Sequence, residues 1–219
     1  MKVGTDGVLL GAWADVEGAG KMLDIGTGTG VIAIMLAQRN ERAEVHAVEI
    51  DEASCTQARE NMMTSPWADR LHAHLDSIQH FAKKSSLRFD LIVSNPPFFS
   101  GGTLSNSQDK TSVRHTVKLP HGDLLSAVRT LLSPEGRFCL ILPYLEGLRF
   151  REMATHYNLY CSKITEIKPK EEKPVERLLL QFERAVKKLE KNTLVIQNGG
   201  VNEWTEDFRA LTGDFYLNA

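Results

Sequence analysis

The sequence predicts an α/β protein with a doubly wound, mostly parallel sheet, and two observations carry that prediction. Short apolar runs end at Asp24, Glu49, Asp76 and Asn95, and stretches with helical spacing lie between them. The first run leads directly into Gly26-Thr27-Gly28-Thr29-Gly30 and then a helical pattern, which is the strand, glycine loop and helix order of a nucleotide-type site. With 219 residues, 42% of them apolar and 25% charged, the chain can bury one sizeable core and reads as a single domain over residues 1–219.

The apolar stretch from Val8 to Ala14 has the look of a secretion signal, but it is too short and follows Asp6, where positive charge belongs. No run approaches the length of a membrane span, so a soluble, cytoplasmic protein is expected. Cys55, Cys139 and Cys161 are odd in number and widely spaced, which points to reduced thiols and no metal site.

Leu23-Asp24-Ile25 reads as a strand, and Val31 to Gln38 as a helix with Val31, Ile34, Met35 and Gln38 at helical spacing. Glycine is needed where the backbone turns sharply and lies against a ligand. Val31 stands where a dinucleotide fingerprint has its third glycine, and Asp24 before the loop suits an amino-bearing ligand better than a pyrophosphate. A plain strand-to-helix turn is the competing reading. The next strand, Glu44 to Val48, ends at Glu49, about 20 residues past the loop, where a carboxylate accepts both hydroxyls of a ribose. Asp51 then reads as the cap of a helix whose buried stripe is Cys55, Ala58 and Met62.

A third strand, His72 to Leu75, ends at Asp76, which suits the amino edge of an adenine and equally the cap of a helix over Ser77 to Lys84. His72 and His74 share a strand face with no third ligand type nearby and read as packing. The fourth strand, Phe89 to Ser94, delivers Asn95-Pro96-Pro97-Phe98 to the same carboxyl edge. Asn95 offers a side-chain carbonyl and Pro96 a main-chain carbonyl, so two acceptors converge on one small donor such as an amine. Phe98 adds an apolar face on which a planar ring stacks. A strand ending in a proline turn is the plainer alternative.

Residues 100–118 form a long polar loop in which Lys110, Arg114 and Lys118 suit a nucleic-acid backbone, although a lid with incidental charge fits as well. Residues 61–191 hold 20 basic and 14 acidic side chains within a chain of net charge −2, so a basic face is compatible with an acidic whole. Leu124 to Leu132 reads as a helix, Gly136 to Leu142 as a strand and Leu148 to His156 as a helix. Leu159 to Ile167 and Leu178 to Phe182 read as a closing hairpin, and Thr205 to Leu211 as a helix with Phe215 and Tyr216 as an aromatic anchor.

The motifs Asp24 to Gly30, Glu49, Asp76 and Asn95 to Phe98 resemble, in order, those of class I S-adenosylmethionine-dependent methyltransferases, with the Asn-Pro-Pro-aromatic form of nitrogen methylators. Met1 to Trp13, Ser65 to Ala68 and Ala210 to Leu217 are similar to stretches of bacterial tRNA adenine-N(6) methyltransferases that act on valine tRNA beside the anticodon. The resemblance spans essentially the whole chain. It implies a Rossmann-like sheet with an antiparallel last strand, S-adenosylmethionine as cofactor and the tRNA anticodon loop as partner. It also implies cofactor contacts from Thr5, Asp24, Gly26, Gly28, Gly30, Glu49, Asp76 and Asn95, and catalysis at Asn95, Pro96, Pro97 and Phe98. Such enzymes usually carry tyrosine where this chain has Phe98, and usually a short segment before the Met1 stretch. The Asn-Pro-Pro-Phe form also occurs in ribosomal RNA guanine methyltransferases, which makes guanine-N(2) methylation the alternative activity. A nicotinamide-dependent dehydrogenase is disfavoured by Val31 and by the lack of a paired catalytic His or Tyr/Lys set. A non-catalytic RNA-binding module is disfavoured by the intact Asn95 to Phe98 motif.

Overall fold

The computed structural model describes residues 4–96, 119–200 and 203–216. Eight strands form one sheet: β1 (Lys21–Ile25), β2 (Glu44–Glu49), β3 (Leu71–Leu75), β4 (Phe89–Ser94), β5 (Leu132–Pro143), β6 (Tyr160–Lys168), β7 (Arg177–Glu183) and β8 (Glu190–Val195). Their order is β3-β2-β1-β4-β5-β7-β6-β8. The first five strands run parallel, β7 runs antiparallel to both neighbours, and β8 pairs parallel with β6. The antiparallel strand that the sequence predicts is therefore β7. The chain's final strand, β8, is absent from the sequence reading.

Side chains alternate along the strands and so supply two cores. Met22, Leu91, Val93, Cys139 and Ile141 meet helices α1 (Thr5–Trp13), α2 (Val31–Arg39), α3 (Glu52–Met63) and α7 (Glu206–Thr212) on one face. Leu23, Ile25, Phe89, Ile92, Phe138 and Leu140 meet α4 (Ile78–Lys84), α5 (His121–Leu131) and α6 (Tyr144–Thr155) on the other. Each such fully buried side chain contributes about 1.5–3 kcal/mol. The sequence reading starts α6 one turn late, because the first buried position of the helix is Gly147, which has no apolar side chain to mark the stripe ahead of Phe150 and Ala154.

The first helix is also absent from the sequence reading. Val8, Leu9, Leu10, Gly11 and Ala12 are all buried, so α1 has no polar face whose repeat would reveal it. An added Cβ at Gly11 would lie 2.8 Å from the Met35 sulfur and 3.3 Å from its Cβ, so a side chain there would push Met35 aside where α1 and α2 meet. Arg39 caps the end of α1 by donating to the carbonyls of Gly11 and Ala14 at 2.8 and 2.6 Å. Leu211, Phe215 and Tyr216 of the tail pack beside Val8, Ala12 and Met35, which is the docking expected of the aromatic anchor.

Candidate active site at the carboxyl edge

The parallel register brings the ends of β1 and β4 side by side, with Ile25 opposite Ser94. The buried Ser94 hydroxyl donates to the Ile25 carbonyl at 2.9 Å, which fixes the start of Asn95-Pro96 against the start of the glycine loop. The loop is tied in turn to β2, because Gly26 and Thr27 N–H groups donate to the Val48 carbonyl at 2.9 and 3.2 Å. Gly30 caps α2 at φ 85°, and a Cβ there would press on Met62 and Ala58 at 3.2 and 3.4 Å. At Gly26, φ is 72° and an added Cβ would meet nothing within 4 Å. The first glycine answers to packing and the second leaves room above the loop.

Asp24 lies under this loop and is fully buried. Its Oδ2 accepts from the Thr27 hydroxyl at 2.6 Å, while Oδ1 has no hydrogen-bond partner among the described residues. Burial pushes its carboxyl up to about 7, against the pull of the Thr27 hydrogen bond and the Ala33 amide. A carboxylate in that position gains from any cation brought to it.

Glu49 is half-buried and already accepts three N–H groups: Gly28 on Oε2 at 2.9 Å, and Ile50 and Asp51 on Oε1 at 2.9 and 3.0 Å. Asp51 caps α3 as expected, accepting from the Ser54 N–H at 2.8 Å. Asp76 does not cap α4; the Ser77 hydroxyl accepts from the His80 N–H and does so instead. The Asp76 carboxylate pairs with Lys84 at 2.6 Å and His80 at 2.9 Å. Although its burial raises the carboxyl's pKa, Lys84 and His80 together hold it below the usual range. Ile50 and Leu75, neighbours in sequence of these two acids, are 48% and 43% exposed, so two apolar side chains stand open at the same edge. The sequence reading passes over both; an apolar residue directly after Glu49 is the signal that would have found Ile50.

Asn95 is half-buried and Pro96 buried. The Asn95 side-chain nitrogen lies 3.9 Å from where a Cβ on Gly7 would stand, so the first turn of α1 flanks the amide. Thr5, in that turn, is exposed. Asp6 pairs with Arg177 at the start of β7 at 3.1 Å, a contact between residues too far apart in sequence to be read from it. Pro97, Phe98, Lys110, Arg114 and Lys118 lie outside the described residues. Thus Asp24, Gly26, Gly28, Gly30, Glu49, Asp76 and Asn95 share one edge, with Thr5 on the helix that borders it.

His74 packs as expected, whereas His72 is exposed and touches the cluster through the His46 ring, with centroids 4.8 Å apart. His46 on β2 stacks on His74 with Nδ1 and Nε2 3.0 Å apart, and Phe81 and Phe89 close the cluster. Burial, and then the neighbouring histidines, push His46 down to about 4. Among the described residues no group of three or more His, Cys, Asp or Glu side chains is arranged to hold a metal. No helix among them is long and apolar enough to cross a membrane.

Residues 5–140 match the methyltransferase small domain family. A tRNA1(Val) (adenine(37)-N6)-methyltransferase of Trichodesmium erythraeum is 45% identical over 99% of this chain and 91% of its own. The protein of the same name from Serratia proteamaculans is 41% identical over 99% of this chain and 84% of its own. Among solved structures, a predicted O-methyltransferase from Agrobacterium tumefaciens superposes with a TM-score of 0.74 at 18% identity, covering 95% of this chain and 96% of its own. A putative RNA methyltransferase from Pyrococcus horikoshii does so with a TM-score of 0.58 at 18% identity, covering 82% of each.

Proposed function

This chain belongs to the methyltransferase small domain family, and on that premise we propose that it methylates the exocyclic nitrogen of adenine 37, beside the anticodon of valine tRNA, as its relatives are named for doing. The observation that carries the reading is the placement of Asn95-Pro96 beside the glycine loop through the Ser94 to Ile25 hydrogen bond. S-adenosylmethionine is the cofactor that the residues fit. The unpartnered Oδ1 of Asp24 suits its ammonium, Glu49 its ribose, and Asp76 with the open Ile50 and Leu75 its adenine, while the space above Gly26 admits a ligand against the backbone. When bound it supplies an electrophilic methyl group on a sulfonium.

The chain's own residues have to prepare a poor nucleophile, because the lone pair of an exocyclic purine amine is delocalised into the ring. The Asn95 side-chain carbonyl and the Pro96 main-chain carbonyl accept its two N–H groups and turn the lone pair out of the ring plane. Holding the amine in line is worth about 7–11 kcal/mol in favourable cases, and the product's proton leaves to water without a dedicated base. Phe98 stacks on the base. A loop nucleotide is drawn out of its stack more cheaply than one in a duplex, which suits an anticodon loop held at its phosphates by Lys110, Arg114 and Lys118. One domain carries both sites, in the cytoplasm.

Labelled-methyl transfer to total RNA, DNA and protein, followed by nucleoside analysis, tests the reading. N6-methyladenosine in a valine tRNA is expected. The Phe98 form of the motif favours the alternative of guanine methylation in ribosomal RNA, and recovery of N2-methylguanosine in its place would overturn the adenine assignment.

A further inference from the structure

The two halves of α1 are held by different means. From Val8 onward the helix is locked: Leu9 and Leu10 are buried in the core, Arg39 caps its last carbonyls, and the Trp13 indole donates to Thr165 at 2.9 Å. Its first turn, Gly4 to Gly7, has no apolar side chain, and its cap residue Gly4 offers no side-chain hydrogen bond. What holds that turn is polar: the pair of Asp6 with Arg177, both side chains partly covered. Yet this is the turn that borders the Asn95 amide through Gly7.

We propose that Arg177 is a positioning residue for methyl transfer, acting through Asp6 to hold the first turn of α1 against the nitrogen end of the Asn95 amide. The inference rests on the proposed function in assigning Asn95 to the target amine. An amide has one acceptor and one donor end, so accepting an N–H from the substrate requires that the oxygen face it and the nitrogen face elsewhere. With α1 in place the nitrogen end faces Gly7, 3.9 Å from where a Cβ on that glycine would stand. Freed from Arg177, the turn frays, the amide rotates, and the acceptor is lost for part of the time. Arg177 starts β7 opposite Pro143 and Ile167, so its own backbone is fixed by two neighbouring strands. The anchor is rigid and the helix turn is what moves.

The test compares Arg177→Ala, Arg177→Lys and Asp6→Asn with the wild type. Two readouts are taken: labelled-methyl transfer to a valine tRNA anticodon stem–loop, and the side-chain amide resonance of Asn95 in protein labelled with ¹⁵N-asparagine, assigned with Asn95→Asp. Arg177→Ala and Asp6→Asn are expected to lower kcat tenfold or more, with thermal midpoints close to wild type, and to shift or broaden the Asn95 resonance. Arg177→Lys, which keeps the charge, is expected to recover part of both. A misplacement of about 1 Å at a reacting group costs on the order of a hundredfold, so a tenfold loss corresponds to partial fraying. Asp6→Asn breaks the same pair from the helix side without opening a cavity, which covers the case in which Arg177→Ala does not fold. An Asn95 resonance unmoved in both variants would overturn the inference whatever the activity. A wild type that does not methylate the stem–loop would overturn the substrate reading and leave the resonance to decide the role of Arg177.

Discussion

Replacing Asp24 with asparagine separates what this carboxylate costs the fold from what it gives the site. An unfolded chain ionises the group near 3.8, whereas in the folded protein burial holds its proton to about 7. Between those values the folded state binds more protons, so stability falls as pH rises and the loss is complete above about 7. At about 1.36 kcal/mol per pH unit that gap amounts to about 4 kcal/mol, an upper bound for the cost of an ionised Asp24 at pH 8. Asparagine keeps an acceptor for the Thr27 hydroxyl but places an amide N–H where Oδ1 now has no partner, at a cost of about 1–3 kcal/mol. The net expectation is that Asp24→Asn, without cofactor, is more stable than wild type by about 1–3 kcal/mol at pH 8, and that this advantage disappears by pH 4. Urea unfolding of both proteins across that range measures it. The same variant should bind S-adenosylhomocysteine at least tenfold more weakly by calorimetry, since a neutral amide oxygen accepts from an ammonium without the opposite charge that strengthens the pair. A variant less stable than wild type at pH 8, or a difference that does not change with pH, would refute the reasoning.

Four further outcomes are expected. Asn95→Ala keeps S-adenosylhomocysteine affinity but loses methyl transfer, because Asn95 is assigned to the substrate amine; calorimetry beside the transfer assay checks it, and a parallel loss of binding would make the motif structural. Asp76→Ala weakens S-adenosylhomocysteine by about 0.5–1.5 kcal/mol, the net worth of a hydrogen bond made in exchange for others, yet leaves binding of S-inosylhomocysteine, which lacks the exocyclic amine, unchanged. Because His46 is pushed from 6.5 down to about 4, the unfolded chain takes up its proton first as pH falls through that window, so wild-type stability drops there by up to about 3 kcal/mol. His46→Leu should show a flatter urea-stability profile between pH 6.5 and 4. Gly30→Ala costs about 2 kcal/mol or more in urea unfolding, combining a left-handed backbone at φ 85° with a Cβ 3.2 Å from Met62.

Those elements of this fold that carry their signal locally were legible in the sequence. The strand Phe89–Ser94 matches its predicted bounds, and Asp51 caps its helix where a carboxylate before a helical stripe says it should. The two missed elements each lack the periodicity on which such reading depends. Helix α1 is buried around most of its circumference, so its apolar run has no polar interruption at helical spacing. Strand β8 begins Glu190-Lys191-Asn192-Thr193, all exposed, and joins the sheet by backbone pairing with β6 at its edge, with Leu194 its one buried side chain. That Asp24, Glu49, Asp76 and Asn95 come to one edge was legible because parallel strands in this order end there. The contacts that orient them were not: Arg177 reaches Asp6 and Ser94 reaches Ile25 only once the sheet has brought distant segments together.

The three acids at the edge differ in what remains for a ligand to satisfy. Glu49 has three N–H partners and Asp76 pairs with Lys84 and His80, so a ligand there exchanges one set of hydrogen bonds for another, and such an exchange yields only about 0.5–1.5 kcal/mol each. These two acids are therefore suited to choosing among ligands by shape and by donor pattern. Asp24 is in the opposite condition, buried with one oxygen unpartnered, and it has most to gain from a cation. On this argument the affinity of the proposed cofactor is drawn mainly from Asp24, and its identity is read by Glu49 and Asp76. The glycine loop joins the two functions, since Thr27 holds Asp24 from above and the N–H of Gly28 holds Glu49. A ligand that draws Glu49 away from Gly28 thereby loosens the turn that roofs Asp24, so the ribose and ammonium ends are coupled and do not act as independent contacts.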